Sequence, residues 1–242
     1  LQVDGRSMDS RIAMLTEMEK DFEGYSKAVR TVMRESARGN LRGVHGPVAN
    51  LVRAGSEYAL AIETALGAAA QNIVVDSQND GRSAIEMLKR MDAGRATFLP
   101  LDAVRGNIMN NAPERDPGFV GIAYELVKFD ERYKNIFANL LGRTVVAESL
   151  ADAVRMSRQS GNSLRIVTLD GQLINAGGSM TGGSAAKGSG ILSRANELEK
   201  LKKQRVRLAE NEKSCAEELA RAKSGLEAVR YQLDMALEDQ AE

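Results

Sequence analysis

Two stretches of this chain, one toward each end, space apolar residues alternately three and four apart, and no other sequence feature restricts the fold as tightly. Between 8 and 36, Met8, Arg11, Leu15, Met18, Phe22, Tyr25, Val29 and Val32 keep that spacing, and all but Arg11 are apolar. Between 194 and 240, Leu198, Leu201, Leu208, Cys215, Leu219, Ala222, Leu226, Val229, Leu233 and Ala236 fit one register, with Arg205 and Glu212 as departures. Such spacing turns a narrow stripe toward a partner helix and leaves Glu17, Glu19, Lys20, Asp21 and Lys27 in water. Cys215 on that seam reads as a small hydrophobe, and the methionines of the first stretch as core. Gly225 is a weak point, costing about 1 kcal/mol against Ala in a helix. Two heptad helices at opposite ends meet most directly by folding back on each other, antiparallel. At about 1.5 Å per residue they measure roughly 45 Å and roughly 70 Å, so the far part of the second lacks a partner in the chain unless residues 1–7 extend the match.

Between the arms the heptad disappears, and glycines and β-branched runs take its place. The segment contains an internal echo. Tyr58 to Gly67 reads as a helix, Ile73 to Ser77 as a buried strand, Arg82 to Asp92 as a helix and Thr97 to Asp102 as a strand. Tyr133 to Gly142, Val145 to Ser149, Ala151 to Gln159 and Arg165 to Asp170 repeat that order, each copy with a Leu-Gly helix stop, an (I/V)-V-x-x-S strand and a closing Leu-Asp. The expected fold class is therefore α/β, mixed α+β: two pseudo-repeated subdomains flanked by an intramolecular antiparallel coiled coil. The divisions expected are an arm over 1–36, subdomain I over 37–102, a linker over 103–118 rich in Asn, Pro and Gly, subdomain II over 119–190, and a second arm over 191–242.

Several functions are poorly supplied. No apolar run approaches the roughly 18 residues of a membrane span, and Leu1-Gln2-Val3-Asp4 lacks the order of a signal peptide, so a cytoplasmic location is expected. The absence of an initiating Met and an end at Glu242 inside a charged helical pattern point to a piece of a longer chain. One cysteine and one histidine leave no internal disulfide and no zinc ligand set. His45, beside Gly46 and Pro47 in a turn, reads as a structural polar residue rather than a catalytic one. The phosphate-loop order is missing, since Lys187 is followed by Gly188 and not by Ser or Thr. No cofactor, metal or small-molecule substrate is expected.

Formal charge is balanced, 33 basic against 33 acidic residues, so attraction for nucleic acid has to come from clustering. Arg30, Arg34, Arg38 and Arg42 recur every four residues where the first arm meets the globular segment, and Lys187, Arg194, Lys200, Lys202 and Lys203 lie where the second leaves it. If both arms emerge from one side, Arg34, Arg38, Arg42, Lys187 and Arg194 converge. Such a junction is either a solvated helix face or a weak, sequence-independent DNA contact. With 4% aromatic residues and no Trp, base stacking is poorly supplied.

The most specific segment follows the second repeat: Asp170-Gly171, a two-residue hairpin signal, and then Gly177-Gly178-Ser179-Met180-Thr181-Gly182-Gly183. Glycine at that density marks either a flexible loop or a backbone approached closely by something else. The order of arm, Gly43-Val44-His45-Gly46-Pro47, repeated α/β core, Asp-Gly strand, glycine block and arm resembles the hinge of bacterial structural-maintenance-of-chromosomes (SMC) proteins along nearly all of the chain. The resemblance implies a non-enzymatic module that homodimerises head to tail, with residues 177–183 at the contact. It implies arms running to an ATPase head in the parent protein, a role in chromosome condensation and segregation, and a nucleoid-associated location. Two readings compete with it: a nucleotide-using α/β domain, and a self-contained nucleic-acid-binding protein oligomerised by its arms.

Overall fold

The structure, a computed structural model, describes residues 2–184 and 190–241, and side chains from Gly5 onward except at 234 and beyond 235. Lys187 and the side chain of Ala236 therefore lie outside the described residues. In chain order the helices are α1 (Gln2–Lys20), α2 (Lys27–Ala37), α3 (Val48–Leu51), α4 (Ala59–Leu66), α5 (Gln78–Arg90), α6 (Lys134–Leu141), α7 (Leu150–Gln159) and α8 (Ile191–Ala241). The strands are β1 (Val44–Pro47), β2 (Arg53–Ala54), β3 (Ile73–Val75), β4 (Phe98–Pro100), β5 (Phe119–Ile122), β6 (Val127–Lys128), β7 (Thr144–Ala147), β8 (Arg165–Thr168), β9 (Leu173–Ile174) and β10 (Met180–Thr181). Contacts group the chain into two units: the two ends, up to Thr16 and from Leu198, and everything from Glu17 to Glu197.

Within the first unit the two end helices run antiparallel. Arg205 donates to Asp9 at 2.8 Å, and the Gly5 backbone lies against Leu208 and Arg205. That register brings Leu15 level with Leu198, and both are buried. The heptad departures have a purpose here. Arg205 and Glu212, two turns apart on α8, pair at 3.5 Å and form a polar layer with Asp9. Arg11, the polar member of the expected stripe, is exposed, and the half-buried Ile12 takes its place between Met8 and Leu15. Beyond this match Cys215, Leu219, Leu226, Val229 and Leu233 are exposed, so Cys215 is not a core residue within this chain.

The expected continuous first arm is interrupted. α1 stops at Lys20 and α2 starts at Lys27, capped by the Ser26 hydroxyl, which accepts from Val29 N. The inward face of α2 then buries Ala28, Val29 and Val32 with Ile73, Val75, Ala84, Met87 and Leu88. Apolar residues that the heptad spacing assigns to a coiled-coil seam are thus core residues of the globular unit.

That unit contains two copies of one motif. β1 pairs antiparallel with β3, which pairs parallel with β4; β5 pairs antiparallel with β7, which pairs parallel with β8. The parallel steps are bridged by α5 and α7, each opened by a serine, Ser77 or Ser149, whose hydroxyl accepts from the backbone of Asp80 or Asp152. The repeat begins earlier than the two helical segments expected from the sequence. Gly43-x-x-Gly46 to Leu51-Val52 matches Gly118-x-x-Gly121 to Leu126-Val127. Gly43 and Gly118 both have positive φ, +66° and +80°, and a Cβ on either would strike the Asp80 or Asp152 carboxylate. A short antiparallel pair, β2 with β6, stitches the copies together.

Period-two alternation assigns each strand's faces. Val74, Val146 and Val167 point into one shared core with Ile62, Leu66, Ile136, Phe137 and Leu141 from α4 and α6. Their neighbours Ile73 and Val75 turn to the α2–α5 side, and Val145, Ala147 and Ile166 to α7. The two halves are therefore fused through a common centre. His45 also spans them: its ring is 2.7 Å from Asp76 Oδ1 and 3.1 Å from the buried Tyr133 hydroxyl. The turn expected around it is instead the strand β1.

Candidate functional site

The glycine block forms a hairpin on the edge of the larger sheet, whose order is β10-β9-β8-β7-β5. The Asp-Gly turn that leads into it is present, with Gly171 at φ +83°, but its connection is longer than two residues, because Thr168 N bonds back to Gln172 O. β9 and β10 are joined by a tight turn in which Gly178 N donates to Asn175 O and Asn175 N to Ser179 O. Gly177 and Gly178 have φ of +91° and +88°, so this turn by itself requires glycine at both. Gly177 N also donates to Asn162 O, tying the turn to the end of α7. These two glycines have a reason internal to the chain, and sequence density alone does not separate it from an external one.

Gly183 shares a positive φ, +140°, with open space where a side chain would stand, and Gly182 alone of the four does not. The Gln172 side-chain amide lies along the backbone here, Oε1 accepting from Gly183 N at 2.8 Å and Nε2 donating to Gly183 O at 3.2 Å. A Cβ on Gly182 would collide with that Oε1. Gln172 thus stands in for a neighbouring strand on the inner side of the glycines.

Among the described residues the outer side of β10 is open. Met180 lies opposite Ile174, and the neighbouring pair, Ser179 with Asn175, is hydrogen-bonded. Antiparallel pairs alternate, so the Met180 N–H and C=O point away from β9 toward solvent. Its side chain is 55% exposed. No strand among the described residues pairs with this edge. The three-stranded sheet, in order β1-β3-β4, has β4 at one edge, and no strand among the described residues pairs outside it. Its counterpart in the other copy, β8, is covered by β9. One half of the chain thus carries an extra hairpin at the place where the other carries none.

The basic residues do not form one junction. Arg34, Arg38 and Arg42 are exposed at the far end of α2. Arg194, half-buried at the start of α8, donates from Nη2 to Glu23 O at 2.9 Å, beside the residues that precede α2. The 11-residue helix between them is about 16 Å long, so Arg194 does not join the cluster. Its role is to hold the 21–26 corner. The other three residues keep company with Lys27 and Arg30, which recur at helical spacing on the exposed face of α2. The single carboxylate of that helix, Glu35, is buried and held by Asn40 Nδ2 and Arg38 Nη1 at 2.7 and 2.8 Å. Those hydrogen bonds, Asn40's first, hold it below the usual carboxylate range.

Among the described residues no group of His, Cys, Asp and Glu has a metal-holding arrangement, and no helix is long and apolar enough to cross a membrane.

A family model described as the SMC proteins flexible hinge domain matches residues 41–157. The chromosome partition protein Smc of Bacillus subtilis (strain 168) is 41% identical over 212 residues, covering 86% of this chain and 18% of that protein. The corresponding protein of Desulfitobacterium hafniense (strain Y51) is 38% identical over 209 residues, covering 84% and 17%. The chain thus spans under a fifth of the length of these relatives. Among solved structures, an asymmetric dimer of the Geobacillus stearothermophilus SMC hinge domain is 40% identical with a TM-score of 0.78, over 87% of this chain and 85% of that one. The Pyrococcus furiosus SMC hinge domain is 30% identical with a TM-score of 0.56, over 72% and 88%.

Proposed function

The chain belongs to the SMC hinge family, and we propose that two copies of it pair through their sheet edges, β10 of each against β4 of the other, to join the arms of a chromosome-partitioning SMC protein. It corresponds to the non-catalytic hinge of such proteins and not to their ATPase head. The observation that carries the pairing is the mismatch between the two copies of the internal motif. Among the described residues β8 is covered by a hairpin, while β4 and the outer edge of that hairpin have no strand paired with them. A strand edge with outward N–H and C=O groups templates pairing with another chain. The pseudo-repeat lets a two-fold axis satisfy both edges at once, as an isologous contact made twice. Residues 177–183 belong to this contact in distinct ways: Ser179, Met180 and Thr181 present the edge, Gly177 and Gly178 turn the hairpin, Gly182 makes room for Gln172, and Gly183 takes the positive φ at the end of the strand. The Geobacillus stearothermophilus relative forms an asymmetric dimer, which favours pairing of two copies though not by itself a two-fold arrangement. Sedimentation equilibrium of the chain over a dilution series tests it. A single monomer–dimer equilibrium is expected, and a monomer up to about 100 μM, an association weaker than roughly 5 kcal/mol, would overturn it.

A second role, weak sequence-independent DNA contact, is favoured by the outward face of α2, where Lys27, Arg30, Arg34 and Arg38 recur on one exposed side and Arg42 follows. The contact proposed comprises Arg34, Arg38 and Arg42 with these neighbours and omits Arg194. In the parent protein this corresponds to a cytoplasmic, nucleoid-associated ATPase of chromosome condensation and segregation. Loss of DNA retention on reversing Arg34, Arg38 and Arg42 to Glu, with the dimer intact, is the expected result.

A further inference from the structure

The sequence specifies the first arm as one helix, and the structure folds it as two. The stripe Leu15, Met18, Phe22, Tyr25, Val29 and Val32 keeps heptad spacing without a skip across residues 21–26, where no proline stands. In the structure this segment is a corner. Phe22 has φ +52° and Gly24 φ +90°, and Glu23 N reaches back to Met18 O to close the end of α1. Phenylalanine in the left-handed region is strained, because its Cβ crowds the following carbonyl. Strain of this kind persists only where surrounding contacts hold it.

Those contacts come from outside the arm. Arg194 donates to the Glu23 carbonyl, and its guanidinium fills the space a Gly24 side chain would need. Ser26 N donates to Gln71 Oε1 at 2.9 Å, and the Tyr25 hydroxyl donates to Asn50 Oδ1 at 2.7 Å. The charged groups facing Tyr25 are Arg194, Glu19, Glu63 and Arg53. Phe22 meets the Tyr25 ring edge-on at 5.8 Å.

We propose that residues 17–37 form a two-state joint: the corner seen here, latched by Arg194, and a fused helix in which α1 runs unbroken into α2. Fusion returns Phe22 and Gly24 to right-handed helical backbone, keeps the apolar stripe in register, and replaces the corner's contacts with intrahelical hydrogen bonds. The proposal rests on this segment alone and on neither the dimer nor the DNA reading.

The test is the backbone state of residues 21–26, read from Cα chemical shifts and amide exchange in the whole chain. Arg194→Ala removes the latch. Gly24→Ala is disfavoured in the corner by its φ and by the guanidinium, yet favours a helix. Both variants should move positions 22–24 to helical shifts and slow the exchange of the amides at 24–26 at least tenfold. Phe22→Gly, which relieves the corner and weakens a helix, should return the Arg194→Ala chain to corner shifts. Corner shifts that persist in both single variants overturn the proposal. So do shifts that become random-coil at 21–26 without helix, since the segment would then have a single ordered state.

Discussion

Replacing Met180 with proline separates the edge-pairing hypothesis from a merely flexible glycine loop. Met180's N–H points outward, so proline removes no hydrogen bond within the chain, and an edge strand tolerates it. The side chain lost is more than half exposed, so the monomer should keep its stability. Across the proposed contact the variant removes one interchain hydrogen bond, about 1 kcal/mol net. It also places the proline Cδ where a paired strand must approach to about 4.8 Å, and a further ~1 kcal/mol for that misfit is a modest estimate. A two-fold dimer makes the contact twice, so the sum is about 4 kcal/mol, close to a thousandfold in dissociation constant. Sedimentation velocity over a dilution series reads the change directly, with circular dichroism checking the fold. Thr181→Pro is the internal control. Thr181 lies in the hydrogen-bonded pair with Leu173, so proline there should unravel the hairpin and lower the melting temperature. A folded Met180→Pro chain whose dissociation constant stays within about threefold of the parent's, under 1 kcal/mol, would refute the edge contact.

Other outcomes follow from the same geometry. Gly177→Ala and Gly178→Ala should each destabilise the hairpin by about 1–2 kcal/mol through their positive φ, seen as faster exchange at Asn175 and Ser179, whether or not the chain dimerises. Reversing Arg34, Arg38 and Arg42 to Glu should lower DNA affinity and flatten its salt dependence while leaving molar mass unchanged, measured by fluorescence anisotropy. Burial pushes the Tyr25 phenol well above its usual value, so the folded state favours its neutral form; that stability is present below about pH 10 and declines as pH rises further. Tyr25→Phe should abolish this alkaline loss and, at neutral pH, cost about 1 kcal/mol for the Asn50 hydrogen bond, read from urea denaturation across pH. Gly225→Ala, with no atom near the new methyl group, should raise the helicity of α8 by an amount matching about 1 kcal/mol.

The sequence by itself determined what depends on short-range chemistry. Heptad spacing located α8 and most of α1, and the repeated Leu-Gly stops and (I/V)-V-x-x-S strands located α4, β3, α6 and β7, because helix ends and buried strands are set by residues a few positions apart. The second GxxG, Gly118 to Gly121, was equally legible as a match to Gly43 to Gly46, and aligning the repeats from their first strand would have revealed it. Other features required the tertiary structure. Tyr25, Val29 and Val32 satisfy a coiled-coil seam and a globular core equally well, and only the packing of α2 on β3 and α5 chose between them. Arg194 resembled its basic neighbours in sequence until the Glu23 carbonyl took its guanidinium. Three of the four block glycines owe their identity to positive φ and the fourth, Gly182, to the Gln172 side chain packed against it, a distinction set by backbone angles and packing. Which edges lie bare is a matter of strand order, fixed by residues far apart in the chain: periodicity records which face of a strand is apolar, but not which neighbour, if any, completes its hydrogen bonds.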